Sequence, residues 1–78
     1  MPEWNPKNDV KLQESLKSYL LEHSMMLPDD VEYSPIIDGV WVLVDDKVVL
    51  TIGLPPVSNY SVRETEHTDK YLRVTDVA

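Results

Sequence analysis

The histidines and the paired aspartates are the residues of this chain whose types could perform chemistry. His23 and His67 stand alone, without a second histidine at ligand spacing and without a His-Glu-x-x-His pattern. Asp29-Asp30 and Asp45-Asp46 are paired carboxylates, but calcium loops need regular acidic spacing around a glycine and a closing glutamate. Because a 78-residue domain has little volume for a pocket, we expect no catalytic residue, no metal site and no cofactor.

Phosphate-binding loops and activated nucleophiles are also absent from the sequence. The two glycines, Gly39 and Gly53, lie far apart, and no serine sits in a nucleophile-elbow pattern. The chain has no cysteine, which fits a reducing compartment, and no segment resembles a signal peptide or a spanning helix. We therefore expect a cytoplasmic protein without membrane contact.

The charge balance restricts the classes of partner. Fourteen acidic and seven basic residues give a net charge of −7. Proteins that bind nucleic acid directly normally carry a basic patch, because phosphate neutralisation supplies much of their affinity. Direct binding to nucleic acid or to an anionic membrane is therefore disfavoured, whereas a basic protein would be attracted.

One amphipathic helix is predicted over residues 6–26, after an N-terminal arm at 1–5. Asn5 is a suitable N-cap and Pro6 a suitable first residue, with Asn8 or Asp9 as an alternative start. Pro28 disfavours helical geometry at the residue before it, so the helix should end near residue 26. The apolar face has helical spacing and comprises Leu12, Leu16, Tyr19, Leu20, His23 and Leu27.

A β-hairpin is predicted over residues 40–54. Two runs rich in β-branched residues flank the corner at Asp45-Asp46-Lys47, and aspartate tolerates such a corner. A half-exposed strand alternates apolar and polar residues, but these two strands do not. Both faces of the hairpin are therefore apolar and need to be covered.

The rest of the chain predicts a connection over 27–39 and a second hairpin over 60–76. Within the connection, 31–33 and 36–37 could form an edge strand. A competing interpretation makes 63–73 a short helix. The fold class expected is α+β: one N-terminal amphipathic helix packed on an antiparallel sheet of three to four strands, in α-β-β-β-β order, as a single domain over 1–78.

The hairpin gives the leading functional hypothesis. If the helix covers one face, Trp41 and Leu43 remain on the other, and an exposed apolar patch commonly marks an interaction site. The alternative is that residues 28–37, through Ile36 and Ile37, or Trp4 fold over this second face. The sequence favours a small, acidic, non-enzymatic interaction domain that self-associates or docks on a protein partner through its sheet.

The acidic residues give the second hypothesis. Asp38 and the pairs named above fall in connections that could share one end of the sheet, and Glu64, Glu66 and Asp69 form a second group. Rows of carboxylates can imitate nucleic-acid phosphates, as in small phage counter-defence inhibitors of basic nucleic-acid-binding proteins. Exposed aromatics also suit an interface, and Trp4, Tyr33 and Tyr60 are candidates, although each could equally lie at the edge of the core. The residues predicted to bind a partner are Tyr33, Trp41, Leu43, Asp29, Asp30, Glu32, Asp45 and Asp46.

Overall fold

A helix lies against a four-stranded antiparallel sheet in the computed structural model, which describes residues 5–53 and 60–74. The sheet has the simple order β1-β2-β3-β4, so that β1 and β4 are its edges. The predicted α+β class and the α-β-β-β-β order are confirmed. The elements are α1 (Val10–Glu22), β1 (Glu32–Ile36), β2 (Gly39–Val44), β3 (Lys47–Gly53), β4 (Ser61–Glu64) and a short α2 (Thr68–Tyr71).

The start of α1 uses two successive caps. Asn5 accepts a hydrogen bond from the Lys7 backbone N–H and caps a 3-10 turn over Pro6–Asn8. Asp9 then accepts from the Leu12 N–H at 3.1 Å and begins the α-helix. The predicted start at residue 6 therefore begins the 3-10 turn, and the α-helix begins at the alternative start, with Asp9 as its N-cap.

The helix also ends earlier than residue 26. Ser24 adopts a left-handed φ of 55°, and the Met25 N–H donates to the Leu20 carbonyl at 2.9 Å. This is a Schellman arrangement, in which the residue after the C-cap takes the position that glycine usually occupies. It turns the chain at His23, the C-cap, so that Met25 enters the core.

The core lies between α1 and one face of the sheet, which we call the covered face. α1 contributes Leu12 and Leu16, and the segments after α1 and α2 contribute one residue each. Ten apolar side chains of residues 5–53 and 60–74 are buried there, namely Leu12, Leu16, Met25, Val40, Val42, Val44, Val49, Leu50, Ile52 and Leu72.

A β-bulge explains why β3 does not alternate. Val42 pairs with Leu50, whereas the next residue, Leu43, pairs with Val48, so that Val49 is an extra residue in β3. Val49 and Leu50 are consecutive and both are fully buried. The bulge thus buries one more apolar side chain of the hairpin on the covered face than regular alternation would.

The predicted second hairpin over 60–76 is wrong in its second half. β4 pairs with β3 as expected, but the chain then forms α2 rather than another strand. The fourth strand is instead β1, from the segment predicted as a connection. Residues after α2 pair with the segment after α1, since the Met26 N–H donates to the Leu72 carbonyl at 3.0 Å.

Two threonines cause this change of direction. The Thr65 N–H donates to the Thr68 hydroxyl oxygen at 2.7 Å, and the His67 N–H donates to the Thr65 hydroxyl at 3.1 Å. Both hydroxyls donate in turn to β3, Thr65 to the Val48 carbonyl and Thr68 to the Val49 carbonyl. These bonds form the turn at residues 66–67 that leads into α2, and they occupy carbonyls of β3 that β4 does not reach.

Candidate interaction surface

The sheet face opposite the core, which we call the open face, is given by strand alternation and register. One cross-strand row aligns Ser34, Trp41, Thr51 and Arg63. A second row places Leu43 between Glu32 and Val48, and a third aligns Ile36 with Gly39. The open face is defined by these three rows and comprises Glu32, Ser34, Ile36, Trp41, Leu43, Val48, Thr51 and Arg63.

Large apolar side chains are exposed on this face and at its edge. Trp41 is 41% exposed and Ile36 is 38% exposed, and the register makes them diagonal neighbours. Ile37, at the turn between β1 and β2, is 95% exposed. Leu43 and Val48 are half-buried and extend this apolar surface away from the turn. We call the surface formed by Ile36, Trp41, Leu43 and Val48 the apolar stripe.

Five carboxylates lie at the other end of the sheet and form what we call the acidic end. The start of β1 lies beside the end of β2 in the antiparallel pair, which brings together the residues before β1 and the β2–β3 turn. Asp38 belongs to the opposite end, because it lies in the β1–β2 turn, so it is separated from the cluster in which the sequence grouped it. The acidic end comprises Asp29, Asp30, Glu32, Asp45 and Asp46, all exposed.

The charge of the chain is concentrated in this region. Residues 24–46 contain six acidic and no basic residues, and thus carry six of the seven net negative charges. Within residues 5–53 and 60–74, no carboxylate of the acidic end forms a salt bridge. Asp45 and Asp46 have φ values of 51° and 66°, as a type I′ turn requires, so their turn role is confirmed.

The second acidic group serves the fold. Arg73 donates to Asp69 at 2.7 Å and to Glu64 at 3.2 Å, and its Nη1 donates to the His23 carbonyl at 2.9 Å. Tyr19 donates to Glu64 at 2.7 Å. Burial, followed by this hydrogen bond, raises the pKa of Tyr19, and the hydrogen bond to Asp69 raises the pKa of Arg73. The cluster joins the end of α1 to β4 and α2.

Neither histidine is placed among possible metal ligands. His23 is exposed and stacks on Tyr19 with ring centroids 4.1 Å apart, so it does not lie in the apolar face. The Nε2 atom of His67 lies 3.8 Å from a carboxylate oxygen of its neighbour Glu66. In the part of the chain that the structure describes, no three His, Asp or Glu side chains converge as metal ligands, and no helix is long and apolar enough to cross a membrane.

The aromatic residues predicted at the interface divide between the two faces. Tyr33 is half-buried and packs on the core, because it alternates with Glu32 and Ser34 and therefore points to the covered face. Tyr33 therefore lies at the edge of the core and not on the face that carries Trp41. Tyr60 donates to Asp9 at 2.8 Å, and this hydrogen bond, with burial second, raises its pKa. Trp4 lies outside the described residues.

The segment proposed as a cover for the second face forms part of the sheet instead. Residues 32–36 pair with β2 as an edge strand, so Ile36 belongs to the apolar stripe. The alternative that 28–37 folds across the open face is therefore wrong. Sequence reasoning missed Arg63 as an open-face residue, although its place in the alternating run at 60–65 was the available signal.

The outer face of α1 is a lesser candidate. A shallow depression of about 230 Å³ lies between the 3-10 turn and the helix, and it is lined by Lys7, Asn8, Val10, Gln13, Glu14 and Lys17. Val10 is 69% exposed. The lining side chains are mostly long and solvated, and all of them are exposed except the half-buried Gln13. We therefore place the candidate site on the open face.

The chain matches no protein-family model, and comparisons with curated proteins and with solved structures also gave no significant match. Function therefore has to be inferred from the side chains and charges described above.

Proposed function

We propose that this protein is a non-enzymatic interaction domain that binds another protein through the open face. The observation that carries the proposal is Trp41, a tryptophan in the middle of a four-stranded sheet that remains 41% exposed. Tryptophan is the side chain that most often dominates binding energy at interfaces. Ile36 and Ile37 extend the exposed apolar surface beside it.

Burial of these three side chains would provide a useful part of a binding energy. Ile37 is almost fully exposed, so its burial would contribute about 1.5–3 kcal/mol, and the partly exposed Ile36 would contribute about 1 kcal/mol. The exposed part of Trp41 would contribute about 2 kcal/mol more. The sum, about 5 kcal/mol, is comparable with the lower estimates of the cost of association, so further contacts are needed for stable binding.

Charge favours a different protein over a second copy of this chain as the partner. Each copy carries a net charge of −7, and such a charge keeps proteins apart. The acidic end borders the apolar stripe, so a partner with basic residues would gain attraction at the same surface. We therefore assign the open face to a basic protein partner.

The test compares three forms of the protein in affinity capture from extract of the source cells. Trp41→Glu alters the open face, and Val10→Glu is the matched control, because it places the same charge at an exposed apolar position on α1. We expect one set of basic proteins to be retained by the wild type and by Val10→Glu and lost with Trp41→Glu. Equal capture by all three folded proteins would refute the proposal, and a dimeric mass by light scattering would identify a second copy as the occupant.

A second candidate function is inhibition of a basic nucleic-acid-binding protein by charge mimicry. It is supported by the acidic end, whose five carboxylates form no salt bridge with the described residues. Binding of this kind would tolerate Trp41→Glu and would be lost almost entirely at high salt, whereas docking over Trp41 would be abolished by Trp41→Glu and only moderately weakened by salt. Titration of a captured partner at two salt concentrations separates the two functions.

A further inference from the structure

We infer that the open face receives an amphipathic helix of the partner, with apolar residues over Trp41 and basic residues at the acidic end. This inference rests on the proposed function and adds the shape and the charge order of the partner segment. It follows from the direction in which the surface changes along β2, from the isoleucines at one end to the aspartates at the other.

The order of the surface along the strands is given by the register. Ile36 lies one row from Trp41 on one side, and Leu43 with Glu32 lies one row away on the other. Rows on one face are about 7 Å apart, since strand residues rise about 3.4 Å and alternate. Asp45 is four residues beyond Trp41, so the turn at the acidic end begins about 13 Å from the tryptophan.

A helix fits this surface better than an added strand does. The edge strand β1 contains Pro35, which has no N–H to donate to a new neighbour. Strands β1 to β3 span about 10 Å, since neighbouring strands lie about 4.8 Å apart, and a helix with its side chains is about 10–12 Å wide. Sheet faces in folded domains are commonly covered by helices, as α1 covers the other face here.

The spacing predicts the pattern of the partner helix. A helix rises 1.5 Å per residue, so its basic residues should lie about nine residues from the apolar side chain that contacts Trp41. The apolar residues of the partner helix should recur at helical spacing, since Trp41 and Leu43 lie about 7 Å apart along β2. Arg63 lies two strands from Trp41, on β4, and so falls outside the part of the sheet, β1 to β3, that the helix would cover.

The experiment selects binders from a display library of helical peptides about 20 residues long, with randomised surface positions. Selected peptides are titrated against the wild type, Trp41→Glu, Ile37→Glu and the double variant Asp45→Asn/Asp46→Asn. Asparagine tolerates positive φ, so the double variant removes two charges without loss of the turn. Ile37→Glu changes a side chain that is 95% exposed, so it tests the surface even where Trp41→Glu fails to fold.

We expect selected peptides to place lysine or arginine about nine residues from an apolar pair. Their affinity should fall about 30-fold with Trp41→Glu, as for an interface hot spot, and about fivefold with the double variant. Neutral or acidic peptides, no effect of the double variant, or no enrichment at all would overturn the inference while the proposed function stands. Selected peptides that bind Trp41→Glu and Ile37→Glu as well as the wild type would overturn the proposed function itself.

Discussion

Thr68 offers the sharpest test of how the end of the sheet is stabilised. Thr68 is a buried polar residue of the core, 1% exposed, and its hydroxyl makes two hydrogen bonds. It donates to the Val49 carbonyl at the bulge and accepts from the Thr65 N–H at 2.7 Å. Thr68→Val keeps the shape of the side chain and removes both bonds.

The magnitude follows from the burial of the groups that would be left without partners. Val49 is fully buried, so water cannot reach its carbonyl, and an unsatisfied buried group costs about 1–3 kcal/mol. The Thr65 N–H is half-exposed, so its loss is smaller. We expect Thr68→Val to lower the free energy of unfolding by about 2–4 kcal/mol, against a total near 5–10 kcal/mol for a small domain.

Urea unfolding followed by circular dichroism measures this difference, with a slope of about 1 kcal/mol per molar urea for a chain of this size. Thr68→Ser is the matched control, because it keeps the hydroxyl and removes only a methyl group at a cost of about 1 kcal/mol. If Thr68→Val is as stable as the wild type within 0.5 kcal/mol, or less harmful than Thr68→Ser, the reasoning is refuted.

Asp46→Gly and Ser24→Gly should each raise the free energy of unfolding by about 0.5 kcal/mol in urea titrations. Both positions have positive φ, which glycine adopts without strain. Destabilisation by either change would contradict the assigned turns. Gly39→Ala should destabilise by about 2–3 kcal/mol, because its Cβ would lie 2.0 Å from a carbonyl oxygen of β3, and an unchanged thermal midpoint would exclude that close approach. Asp9→Asn should lower the pKa of Tyr60 in a tyrosinate absorbance titration, since the carboxylate that raises it is lost while the N-cap is kept. A raised folded pKa means that neutral Tyr60 stabilises the fold below pH 10 and that this contribution is lost as pH rises through the folded pKa.

The elements with strong local signals could be predicted from the sequence. Leu12 and Leu16 have helical spacing and are buried as expected, and the Asp45-Asp46 corner forms the expected turn. Pro35 indicated an edge position for any strand in its segment, and β1 is an edge. Periodicity and turn chemistry are local properties, so they can be read without knowledge of the rest of the chain.

The elements that were missed depend on contacts between distant residues. The run at 70–75 alternates like a strand, but Thr65 and Thr68 bond to β3 carbonyls and begin a helix instead. The bulge at Val49 is set by pairing with β2, which no periodicity reveals. Side-chain bonds across 17 and 19 residues therefore override the local pattern.

The candidate surface could be predicted only in part from the sequence, for the same reason. Alternation in β2 placed Trp41 opposite Val40 and Val42, and the structure leaves it exposed. Tyr33 could not be placed on either face from the sequence, because the bounds of its strand were uncertain and the parity of a side chain cannot be derived without them. The separation of Asp38 from the acidic end likewise required the register of β1 and β2.

The two faces of the sheet have different roles: the covered face holds the core, and the open face carries exposed apolar side chains. Among the described residues, all ten buried apolar residues lie on or against the covered face, and the bulge adds the extra residue Val49 to that face. Trp41 does not belong to this core, and the exposed part of its side chain remains available to a partner. The five carboxylates of the acidic end border the open face and form no salt bridge with the described residues. Like charges held at one end of a sheet oppose folding slightly. The repulsion between the carboxylates lowers the stability of the isolated domain, and a complex would relieve it, because burial of Trp41 and neutralisation of the carboxylates would occur in the same event. This coincidence is the physical reason to place binding at the open face rather than at the depression on α1.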